Sequence, residues 1–112
     1  MERVFRPACT VALIFSCAAP AGADDALTYE LLAKDGRFYP ETIEVPAGKR
    51  FRIEMTNSNA GPEEFESIEL RKELVLAPGV TRTVVFAPLK PGIYPFVGEF
   101  HPETACGQIV AK

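Results

Sequence analysis

The stretch Lys49–Asn57, KRFRIEMTN, decides the fold. Phe51, Ile53 and Met55 fall on alternate positions, with Arg50, Arg52 and Glu54 set aside from them. Successive side chains of an extended strand point to opposite faces, so this pattern predicts a strand with one buried and one solvated face. Met55 sits in the buried register and is expected in the core.

Working outward, strand signals recur and helical ones are scarce. Upstream lie LTYELL, from Leu27 to Leu32, and RFYPETIEVPAG, with Phe38, Ile43 and Val45 as its apolar positions and Pro46-Ala47-Gly48 as a turn. Downstream, KELVLAPG and VTRTVVFAP read as two strands joined at Pro78-Gly79. PGIYPFVGEF and CGQIVAK close the chain as two more, with Tyr94 and Phe96 expected in the core. Ten prolines and eight glycines, mostly between these runs, mark turns. Short strands at regular spacing predict an all-β protein, a Greek-key β-sandwich or small barrel. The segment Asn59–Lys72, NAGPEEFESIELRK, breaks the pattern. It reads as too polar for core and too long for a hairpin turn, hence as loop plus a short strand, with Phe65–Arg71 able to form a helical turn.

At 112 residues the chain has room for one domain. Its start, MERVFR, carries two arginines; the apolar run ACTVALIFSCAA and then PAGADD follow. A basic start, an apolar run too short to span a bilayer and a small-residue exit predict a secretory signal peptide over residues 1–23. Cleavage after Ala21-Gly22-Ala23 leaves a domain at 24–112 and a periplasmic location. Lipid attachment at Cys17 is disfavoured by bulky Phe15 near the cut. Of three cysteines, Cys9 and Cys17 leave with the signal, and Cys106 has no partner for an internal disulfide. Cys106 is then a reactive thiol, a metal ligand or a small buried group. The formal net charge of -3 and the lack of a basic patch give no support to nucleic-acid binding.

The only histidine, His101, lies in GEFHPETACG, Gly98–Gly107, with Glu99, Glu103 and Cys106. Upstream, Glu64 and Glu66 are two apart, so an extended strand turns both carboxylates outward and Phe65 inward. Carboxylates with one imidazole suit Fe(II), Fe(III), Mn(II) or Cu(II), and a thiolate from Cys106 would shift the preference toward copper or zinc. Glu64, Glu66, Glu99, His101 and Cys106 are therefore the expected metal site. Glu63 and Glu103 read as surface charge. Arg71 and Lys72 offer a docking point for an acidic partner.

The pieces FYPETIEVPAGKRFRIEMTN, PGIYPFVGEFH and GQIVAK resemble the cupredoxin family over nearly all of 24–112. Blue-copper members place Cys, His and Met in the loop between the last two strands, with a second His upstream. The resemblance implies that His101 matches the loop histidine, Gly98 the thiolate position and Cys106 the axial position. The upstream histidine falls in GPEEFES, where Glu63, Glu64 and Glu66 stand. Without a thiolate a blue-copper centre does not form in the usual way. More narrowly, PEEFES, LRKE and the pattern around GEFH look like the cupredoxin-like periplasmic component of bacterial ferrous-iron uptake systems. That likeness implies bound copper or iron, a second periplasmic iron-binding protein and a membrane iron permease as partners. It leaves three functions open: a metal-binding module, a ferroxidase acting with a partner, and a metal-free structural or adaptor domain.

Overall fold

A computed structural model describes residues 27–112. The expected signal peptide lies outside the described residues. Nine strands follow one another: β1 Thr28–Lys34, β2 Arg37–Tyr39, β3 Thr42–Val45, β4 Phe51–Asn57, β5 Glu63–Ser67, β6 Lys72–Leu76, β7 Thr81–Phe86, β8 Gly92–Val97 and β9 Cys106–Ala111. They form two mixed sheets, β2-β1-β4-β7 and β3-β9-β8-β5-β6. Strand β1 runs parallel to β4, and β3 parallel to β9, while the other pairings are antiparallel. This is the expected all-β Greek-key sandwich.

The alternation in KRFRIEMTN places Phe51, Ile53 and Met55 inside, at 2%, 0% and 1% exposure. They face Phe65, Phe96 and Ile109 of the other sheet across a continuous apolar core. Phe96 centres an aromatic cluster, with its ring centroid 5.3 Å from Phe38 and 4.9 Å from Phe65. Burial of these rings is the main source of stability, at roughly 25 cal/mol for each Å² of apolar surface removed from water.

The expected Pro78-Gly79 turn joins β6 to β7, with Gly79 at φ 77°, a conformation glycine adopts without a steric penalty. The strands it joins lie in different sheets, so it carries the chain across the sandwich. One expectation needs correction: the segment Asn59–Lys72 enters the core. Its β5 buries Glu63, Phe65 and Ser67, at 0%, 1% and 1% exposure. A turn follows, closed by the Arg71 amide donating to the Ile68 carbonyl at 3.1 Å, in place of a helical turn. Lys72 lies over the Phe86 ring, 5.4 Å from its centroid, so part of its charge is engaged within the fold.

Candidate metal centre

Strand β5 sorts its glutamates by position. Glu63 shares the inner face with Phe65, while Glu64 and Glu66 share the outer face, as alternation requires. Antiparallel pairing sets Glu66 opposite Glu73 of β6 and opposite Val97 of β8. Strand β8 ends at Val97, and Glu99, two residues on, comes close to Glu64 and Glu66. Ligand atoms of Glu64, Glu66 and Glu99 all lie within 4.8 Å of one another.

Crowding shows in their proton affinities. Partial burial, a hydrogen bond with Glu73 and the charges of Glu73, Glu66 and Glu99 raise the Glu64 carboxyl from 4.5 to about 7. A hydrogen bond with Glu99, then desolvation and the charges of Glu99 and Glu73, raise Glu66 as well. Among the described residues no lysine or arginine pairs with these groups; the ion pairs are His101–Glu63 and Lys112–Glu44. A hard cation relieves this repulsion and displaces the proton that neighbouring carboxyls otherwise share.

His101 stands apart from that triad. Its Nδ1 lies 2.6 Å from Glu63 Oε2, on the inner side of β5. Glu63 Oε1 accepts from the amides of Glu64, at 2.9 Å, and Phe100, at 3.2 Å. The reading of Glu63 as surface charge is therefore overturned: its side chain is 1% exposed and that of His101 42%. Three donors satisfy the buried carboxylate, which is what makes its burial tolerable.

Neighbouring loops hold the pair in place. The amides of His101 and Ala105 donate to Gly98 and His101 carbonyls, closing the loop between β8 and β9. Thr104 Oγ1 donates to the Gly36 carbonyl at 2.5 Å, and Asn59 Oδ1 accepts from the Gly36 amide at 3.0 Å. Asn57, fully buried, donates to the carbonyls of Gly61 and Leu76 and so fixes the approach to β5. An open hollow of ≈ 540 Å³ beside His101 is lined by Asp35, Asn59, Phe100 and Thr104 among others.

Cys106 begins β9 exposed, so the reading of it as a small buried residue does not hold; Ala105, at 1% exposure, fills the buried position. Its Sγ donates to the Pro102 carbonyl at 3.3 Å. Cys106 lines a hollow of ≈ 330 Å³ with Glu66, Glu99 and Ile68, next to the carboxylates but not part of their cluster. The structure thus gathers Glu64, Glu66 and Glu99 and leaves His101 and Cys106 outside.

A two-sheet Greek-key sandwich with a histidine in the loop before its last strand defines a cupredoxin-type domain. The Cupredoxin-like domain family model matches residues 7–111, and the chain belongs to that family. The uncharacterized protein RP394 of Rickettsia prowazekii (strain Madrid E) is 38% identical over 89 residues, spanning 80% of this chain and 71% of that one. Among solved structures, the dithionite-reduced auracyanin of Roseiflexus castenholzii matches with TM-score 0.65 at 13% identity, over 78% of this chain and 98% of that one. The periplasmic domain of cytochrome oxidase subunit II from Bradyrhizobium japonicum matches with TM-score 0.65 at 15% identity, over 79% and 85%. Auracyanin A of Chloroflexus aurantiacus, a "blue" copper protein, matches with TM-score 0.65 at 14% identity, over 77% and 98%. At such identities these structures share the fold.

The residues present do not fit the copper centre of the blue proteins. A Cβ at Gly98, where the resemblance expects the thiolate, would lie 2.8 Å from Glu63 Oε1 and 2.8 Å from Ala105 Cβ. No side chain enters there without displacing the buried carboxylate, and that carboxylate also engages Nδ1 of His101.

Proposed function

We propose that this protein is a periplasmic metal-binding cupredoxin-like domain that holds iron or copper in support of ferrous-iron uptake, with Glu64, Glu66 and Glu99 as the ligands. The observation that carries this reading is the meeting of three carboxyl groups within 4.8 Å, two of them on β5, with no lysine or arginine paired to them among the described residues. All-oxygen donors suit Fe(II), Fe(III), Mn(II) or Cu(II), and the lack of sulfur at the cluster weighs against Cu(I). The iron-uptake setting, with a second periplasmic iron-binding protein and a membrane permease as partners, rests on the motif resemblance around PEEFES and GEFH. A periplasmic place follows from the expected signal peptide; no helix of the described residues is long and apolar enough to cross a membrane.

Within this reading the chain's own residues bind and orient. Glu64 and Glu66 project from one strand, Glu99 comes from the loop after β8, and the Glu64 carboxyl, whose proton affinity is raised, gives up its proton as a cation arrives. A ferroxidase role would need a partner to complete oxygen reduction. A metal-free adaptor role is favoured by one observation, the Glu63–His101 pair filling the family's metal pocket.

Anaerobic calorimetry with Fe(II), and with Mn(II) and Cu(II), separates these readings. The expected result is one-site uptake near neutral pH that weakens by tenfold or more, roughly, in Glu64→Gln/Glu66→Gln. Lack of uptake of all three ions leaves only the adaptor. Loss of Fe(II) from a ferrous-chelator assay with the isolated protein would promote the enzyme.

A further inference from the structure

We infer that Glu63 and His101 form an internal clamp, standing where the family's ion would join β5 to the loop after β8, and that this clamp sets the spacing of the Glu64–Glu66–Glu99 face. The second half of this inference rests on the proposed metal site; the first half does not.

The geometry has three parts. Glu63 Oε2 takes the His101 ring at 2.6 Å, and Oε1 takes the backbone amides of Glu64 and Phe100. One buried carboxylate therefore binds the strand and the loop together, as a metal with ligands from both would. The clamp also lies back to back with the acidic triad. Its two amide contacts fall on Glu64 itself and on Phe100, the residue next to Glu99. Holding those two backbones to one oxygen fixes how far Glu99 stands from β5.

Two glycines pack closely against the clamp. The closest approach to Gly98 is made by Glu63 Oε1 and Ala105 Cβ, each 2.8 Å from where a Cβ would be. Gly36 is likewise close-packed, with His101 Cδ2 3.0 Å from a Cβ built there. The imidazole is thus held on one side by the Glu63 carboxylate and on another by the turn between β1 and β2. Glu63 and His101 are positioning residues: they act through the backbone of the residues that would hold an ion.

Amide hydrogen exchange and Mn(II) calorimetry on the same variants test the inference. In Glu63→Ala the amides of Phe100, His101 and Ala105 should exchange about tenfold faster or more, while the Ile53 amide in β4 keeps its rate. Mn(II) affinity should fall about tenfold. Glu63→Gln, whose side-chain oxygen still accepts from Glu64 and Phe100, should hold both readouts within roughly threefold of wild type. The exposed Glu103→Gln should change neither. If Glu63→Ala does not fold, His101→Ala removes the ring contact and leaves the Phe100 amide on Glu63, so the His101 and Ala105 amides should exchange faster and Mn(II) affinity should fall by less than in Glu63→Ala.

Loop exchange unchanged by either clamp variant overturns the clamp. A faster-exchanging loop with undiminished Mn(II) affinity overturns the positioning role and leaves the triad standing. Wild-type protein that takes up no Mn(II) overturns the metal site and the positioning role together, and the exchange rates still decide the clamp.

Discussion

Glu63 is the residue on which the molecule departs most from a copper protein. A carboxylate at 0% exposure is costly unless donors surround it, and here two amides and an imidazole do so. Gly98 is its necessary companion, because any side chain at that position meets the carboxylate. Gly98→Ala should therefore destabilise the protein by about 1–3 kcal/mol, the usual cost of overpacking, as read from denaturant unfolding. An unchanged midpoint would mean that the pocket has room. The burial of Glu63 was within reach of the sequence: the alternation that turns Phe65 inward also turns Glu63 inward, two residues earlier. Its charge argued for the surface, and its partner His101 lies 38 positions away, where no local pattern could indicate it.

At the scale of the element, β5 divides one acidic stretch into two chemistries. Its inner face carries the clamp and its outer face the triad, and one-residue slippage in register would exchange them. The outer face gives the protein a pH signature. A carboxyl whose folded pKa exceeds its unfolded value binds more protons in the native state, so folding loses support as pH rises through that interval. For Glu64 the interval runs from 4.5 to about 7. Metal-free protein should accordingly melt at a lower temperature at pH 8 than at pH 5, and Glu64→Gln should flatten the difference. A melting temperature that climbs over this range in the wild type, with the variant following it, would remove the crowded-carboxylate account. The strand in KRFRIEMTN was legible because its alternation is strict, and the one in PGIYPFVGEF because an apolar, β-forming run follows a Pro-Gly turn. Segment β5 was only half legible, since four of the residues from Pro62 to Ser67 are polar and its pairing with β8, which sets it inside the sheet, is long-range.

At the scale of the molecule, the sandwich keeps the family's framework and changes what its loops hold. The two parallel pairings, β1 with β4 and β3 with β9, bring distant parts of the chain into register. They set the loops around Gly36, Asn59 and His101 at one end, beside the clamp. That end would hold copper in a blue protein, and here the Glu63–His101 pair joins β5 to the loop after β8 instead. Which residues would converge was harder to read than the fold, because Glu64, Glu66 and Glu99 meet only through the sheet register, while His101 is drawn to the other side of β5. Crystals grown with Mn(II) and measured for anomalous scattering locate the ion directly. The account predicts one peak among the carboxylates of Glu64, Glu66 and Glu99, with Glu63 still bonded to His101. A peak seated between Glu63 and His101, or none at all, would contradict it.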